Sequence, residues 1–143
     1  MRDDGSKQVT IEVPITYTGE GITPSIESDW NSRIESEWSG EFGDFDVTTS
    51  VTTGSMNTIS VPSGNGRAYV NGVGGNTGTW PSSRPSWTAA HEAGHLMGLP
   101  DRYDYKTMAP KSGFENNIMS TRDKGPSAEN ISNILKANNC ECK

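Results

Sequence analysis

The amino-acid sequence predicts an α+β fold, and three observations carry that prediction. Runs in which apolar and polar residues alternate mark strands; stripes that recur every three or four residues mark helices; and along the 143 residues the order is strand, helix, three further strands, then two helices. The length suits a single domain, and no internal repeat suggests a solenoid.

Val9, Ile11, Val13, Ile15 and Tyr17 alternate with polar residues and predict a first strand with one buried face. Pro14 removes a backbone donor inside it, so a bulge or unpaired stretch is expected there. Thr23-Pro24 is a helix start, with Thr23 as N-cap and proline at the first helical position. Ile26, Trp30, Ile34 and Trp38 then form one apolar stripe, and Gly40 is the expected stop. A stripe of this kind reads as core. Phe45, Val47, Thr49 and Val51 predict a second strand. Ile59 with Val61, and Ala68 with Val70, predict two further short strands separated by residues 62–66. Residues 71–78 read as a Gly/Asn-rich loop and 81–85 as a linker. Ser86 or a near neighbour should cap a helix from about Trp87 to Leu96 that stops at Gly98. A polar loop follows, with a short apolar island at 116–120. From Ser127, the residues Ala128, Ile131, Ile134 and Leu135 predict a last amphipathic helix.

Composition excludes several classes of function. Hydrophobic residues make up 31% of the chain, with 16 Gly and 4 Trp, which predicts a modest core and long ordered loops. The net charge of −6 and the lack of a basic cluster argue against nucleic-acid binding and against an anionic membrane surface. No apolar run approaches the roughly 18 residues that span a bilayer. The first seven residues have no apolar segment of the signal-peptide kind, so the expected setting is cytoplasmic, or that of a mature or excised piece of a longer secreted protein. Cys140 and Cys142 are the two cysteines. A disulfide across one residue is strained and closes almost no loop, so they read as tail thiols.

The chemistry concentrates in one segment. His91 and His95, the only two histidines, are four residues apart. On a helix both imidazoles then lie on one face, where they can chelate one ion. Glu92 lies about 100° around the helix from His91, beside the ion without ligating it, as suits a carboxylate that takes a proton from activated water. Gly98 allows a sharp reversal, Pro100 forbids further helix, and Asp101 is then placed as a third ligand. Two imidazoles and a carboxylate leave a fourth position open, the arrangement of a catalytic zinc; cobalt or manganese could substitute. Asp104, further along an extended chain, reads as a surface group or one that touches calcium or a histidine ring N–H.

The segment from His91 to Asp101 resembles the metzincin clan of zinc peptidases, whose motif is H-E-x-x-H-x-x-G-x-x-H/D. With aspartate as third ligand and the run Gly98-Leu99-Pro100-Asp101-Arg102-Tyr103, it is most similar to the snapalysin family. Ile118-Met119-Ser120 matches the clan's methionine turn, which implies that Met119 sits beneath the metal. Thr121 stands where several members carry a tyrosine. Tyr103 matches the snapalysin-like pattern, and the resemblance implies a catalytic role for it in steadying the oxyanion, beside the reading of an ordinary half-buried tyrosine.

The resemblance implies a twisted, mostly parallel sheet of four to five strands, a backing helix, an active-site helix and a C-terminal helix. The whole chain, 1–143, would be one catalytic domain, with a sheet-bearing part over about 8–98 and the methionine turn and last helix over about 99–143. The implied activity is that of a zinc-dependent endopeptidase using metal-activated water with Glu92 as general base and acid. Its partner would be an extended polypeptide, paired along residues 66–75, and the chain a monomer. Its setting would be extracellular, as a secreted enzyme or as an effector domain of a larger secreted toxin. A structural calcium is a further expectation. The competing class is a catalytically inactive, zinc-stabilised peptide-binding or adhesion module, against which Glu92 argues.

Overall fold

The computed structural model describes residues 7–72, 75–102, 106–107, 109–111, 114–121 and 123–138. In chain order these form β1 (Lys7–Thr18), α1 (Pro24–Glu37), β2 (Gly40–Phe42), β3 (Phe45–Ser60), β4 (Tyr69–Val70), β5 (Thr77–Thr79), α2 (Ser86–Leu96) and α3 (Ala128–Ala137). The five strands make one mixed, mostly parallel sheet in the order β1-β3-β5-β4, with β2 paired antiparallel to the start of β3. β1 and β5 both run parallel to β3, whereas β4 closes the edge antiparallel to β5. This is the α+β class and the sheet expected above.

The break predicted at Pro14 is where the β1–β3 ladder changes register. Pro14 lies opposite Thr52, but Ile15 lies opposite Asn57, so residues 53–56 have no partner on β1. Side chains close the gap: Asn57 Nδ2 donates to Pro14 O at 2.7 Å, and Thr16 Oγ1 donates to Gly54 O at 2.7 Å. The two runs around Val47 and Ile59 are therefore halves of a single strand. The sequence hid this because the bulged middle, including the exposed Met56, has no buried face to set a period.

Two other strands escaped the alternation rule. β2 forms where only a helix stop was expected, as the first arm of a tight hairpin around Gly43. β5 begins inside the predicted Gly/Asn-rich loop and ends one residue beyond it. Its central Gly78 is buried, and a β-carbon there would stand 2.6 Å from Tyr69 O, so the position has no apolar side chain to announce it.

The helices follow their sequence signals closely. Thr23 Oγ1 accepts Ile26 N–H at 3.1 Å as the cap of α1, and Trp30, Ile34 and Trp38 are buried. Ser127 caps α3 through a reciprocal capping box with Asn130. At α2 the cap is the neighbour of Ser86: Pro85 is the N-cap, with no side-chain hydrogen bond, and Ser86 is already helical. One hydrophobic cluster joins the sheet residues Val9, Val13, Val47 and Ile59 to Trp30 and Trp38 of α1, Ala90 and Ala93 of α2, and Ile131 of α3. Trp38 Nε1 donates to Ala90 O at 2.9 Å, so α1 backs α2 immediately before the first histidine.

Candidate metal centre

α2 ends by the reversal that the glycine predicted. Gly98 takes φ +106°, its N–H donates to His95 O at 3.1 Å, and Leu99 N–H donates to Gly94 O at 3.0 Å. These are the two bonds of a Schellman motif, which an L-residue at Gly98 would strain. The fully buried Leu99 anchors the turn, and its carbonyl accepts His95 Nδ1–H at 2.7 Å. The same reversal thus aims His95 and returns the chain toward Asp101.

The second support is the turn around Met119. Ile118 O accepts His91 Nδ1–H at 2.7 Å. Met119 is wholly buried, and its carbonyl accepts Arg102 N–H at 2.8 Å, tying the turn to the residue after Asp101. Trp87 stacks on the His91 ring with centroids 5.4 Å apart and an interplanar angle of 28°, and its Nε1 donates to Lys124 O at 2.8 Å.

A carbonyl can only accept, so in both rings the proton of the neutral imidazole sits on Nδ1 and the Nε2 lone pair points away from the backbone. Both lone pairs converge on one carboxylate oxygen: Asp101 Oδ1 is 3.2 Å from His91 Nε2 and 3.1 Å from His95 Nε2. Electron-rich atoms at such separations repel one another unless a proton or a metal cation lies between them. The three side chains are only 10–12% exposed, so water does little to relieve that repulsion. Ligand atoms of His91, Glu92 and His95 also lie within 4.8 Å of one another, a grouping that could hold a metal ion.

Protonation follows the same electrostatics. Burial alone would depress the His95 imidazole, but the hydrogen bond that its protonated ring donates to Asp101, the nearby Glu92 and Asp101 carboxylates and the Leu99 carbonyl together raise it. Burial raises the Glu92 carboxyl, with His95, His91 and Arg67 acting in the opposite sense. Glu92 is 6% exposed, and its Oε2 has no hydrogen-bond partner among the described residues.

His91, Glu92, His95, Asp101 and Met119 are thus brought together. Tyr103, Asp104, Cys140 and Cys142 lie outside the described residues, as do positions 73 and 74 of the segment expected to meet a peptide. Within that segment Tyr69 and Val70 form the edge strand β4, which packs against α2. Thr121 uses its hydroxyl on Glu115 O at 2.8 Å. Among the described residues no second group of carboxylates gathers to take a calcium ion. Sequence reasoning missed the Leu99 and Ile118 carbonyls, because any residue supplies a carbonyl. It also missed Trp87, whose position four before His91 was the available signal. No protein-family model matches the chain, and no curated protein matches it, so the function is argued from the site itself.

Proposed function

We propose that this chain is a zinc-dependent endopeptidase of the metzincin kind, with the snapalysin-like ligand set His91, His95 and Asp101 and with Glu92 as general base and acid. The observation that carries the reading is the convergence of His91 Nε2 and His95 Nε2 on Asp101 Oδ1 at 3.2 and 3.1 Å. Ligand atoms about 2.0–2.1 Å from a tetrahedral zinc stand about 3.3–3.4 Å apart, so Asp101 Oδ1 lies at nearly the spacing from each imidazole that the ion requires. The carbonyls of Ile118 and Leu99 orient the rings for it, the role such outer partners play at zinc sites. Among the candidate donors, Asp101 stands in contact with both imidazoles, which leaves Glu92 free for proton transfer.

When bound, zinc supplies a Lewis acid that polarises a carbonyl and acidifies a water molecule. Glu92 would accept the proton of the attacking water as the new C–O bond forms, and return it to the amine nitrogen as the peptide C–N bond then breaks. Burial raises the carboxyl, which suits a group that both takes up and gives back a proton. The unpartnered Oε2 is an acceptor that a water can use. An extended substrate is proposed to pair with the free edge of β4, where backbone groups next to α2 can align it. The proposal includes an extracellular setting, as a secreted enzyme or an effector domain.

The test is hydrolysis of casein and of a quenched peptide library by the zinc-loaded protein, with and without chelator. Cleavage that stops with chelator and returns with zinc is the expected result. Stoichiometric zinc binding without cleavage would favour the inactive binding module instead, and no zinc binding would overturn both readings.

A further inference from the structure

The methionine turn is held from below by two buried amides. Asn117 is 3% exposed and Asn130 is wholly buried. Asn117 Nδ2 donates to Asn130 Oδ1 at 2.7 Å and to Ser127 Oγ at 3.1 Å, and its Oδ1 accepts Met119 N–H at 3.0 Å. The amide therefore uses both donor hydrogens and its acceptor. Asn130 Oδ1 also accepts Ser127 N–H at 2.9 Å, so the group that clasps Asn117 is the one that starts α3.

What Asn117 holds leads directly to the ligands. Ile118, between Asn117 and Met119, provides the carbonyl that aims His91, and Met119 provides the carbonyl that anchors Arg102 beside Asp101. His95 differs, because its ring is aimed by Leu99 within the helix-ending turn. We propose that Asn117, clasped by Asn130, is a positioning residue that sets His91 and Asp101, but not His95, and so couples the docking of α3 to metal retention. The inference rests on the metal-centre reading for its consequence, though the positioning itself can be measured without metal.

Amide hydrogen exchange in the metal-free protein separates the two. Asn117→Ala, and independently Asn130→Ala, should lower protection of the Met119 and Arg102 amides by about 10-fold, the worth of a hydrogen bond of about 1.4 kcal/mol. Leu99 N–H, held by Gly94 O, should keep its protection and serves as the internal control. Asn117→Asp keeps an oxygen for Met119 N–H but loses both donors to Asn130 Oδ1 and Ser127 Oγ, so protection at Met119 should fall as it does in Asn130→Ala. Two variants from opposite ends of the clasp keep the test open if one fails to fold. Zinc competition against a calibrated chelator should then show about 10–100-fold weaker binding in both alanine variants, as for other supports of metal ligands. Unchanged protection at Met119 and Arg102, or losses that merely track Leu99, would overturn the proposal. So would equal zinc affinity in parent and Asn117→Ala. If the parent binds no zinc, the proposed function falls, while the exchange data still decide the positioning.

Discussion

Met119 lies against the bare backbone of Gly94. A β-carbon built on Gly94 would stand 2.6 Å from Met119 Sδ and 3.1 Å from Trp38 Cζ2. The absence of a side chain one residue before His95 thus lets the turn around Met119 reach the underside of α2.

Gly94→Ala should therefore destabilise the protein. Alanine is the better helix former by about 1 kcal/mol, but overpacking a closed core costs about 1–3 kcal/mol. A lower urea midpoint with an unchanged slope is the expected result. Adding Met119→Ala should make the pair strongly non-additive, because the second change opens the space that the first one fills. Additive losses would mean that the two residues do not press on each other.

Met119→Leu nearly conserves volume and should cost less than about 1.5 kcal/mol. Zinc stoichiometry should not change, because a thioether is a soft partner ill suited to a His/His/Asp site and serves here as packing. A folded Met119→Leu protein unable to retain zinc would contradict that view.

Glu92 and Asp101 should separate cleanly in a mutant pair. Glu92→Ala is expected to keep zinc and to lose hydrolysis by about 10²–10⁴, the range for general acid–base catalysis. Asp101→Ala should weaken zinc binding and abolish activity. Chelator competition on both variants, read beside the peptide assay, checks the division of labour. Parent-level cleavage by Glu92→Ala would remove its assigned role.

Alkaline stability should depend on Tyr17. Burial, with Glu27 adding to it, pushes the phenol well above its ordinary value, and the hydroxyl donates to Asn31 Oδ1 at 2.7 Å. The folded protein then keeps a proton that the unfolded chain releases near about pH 10, so this contribution is complete below that pH and is lost as pH rises above it. Tyr17→Phe should lose about 1 kcal/mol at neutral pH through the missing hydrogen bond, yet decline less steeply than the parent above about pH 10. Parallel denaturation profiles across that range would refute the assignment.

Local signals alone determined much of this protein. Apolar periods found β1, α1 and α3, because each buries one face, and caps located the starts of the two helices at Thr23 and Ser127. The His91, His95 and Gly98 spacing was enough to predict a chelating helix face and a sharp reversal, since both depend on backbone geometry within one segment. Tertiary structure decided the rest. The joining of two runs into β3, the strand at Gly78, and the carbonyls of Ile118 and Leu99 that aim the rings all depend on which backbone comes near which. A period requires a buried face, and a carbonyl is common to every residue. Neither the bulged middle of β3 nor the supports of the histidines could therefore leave a mark in residue type.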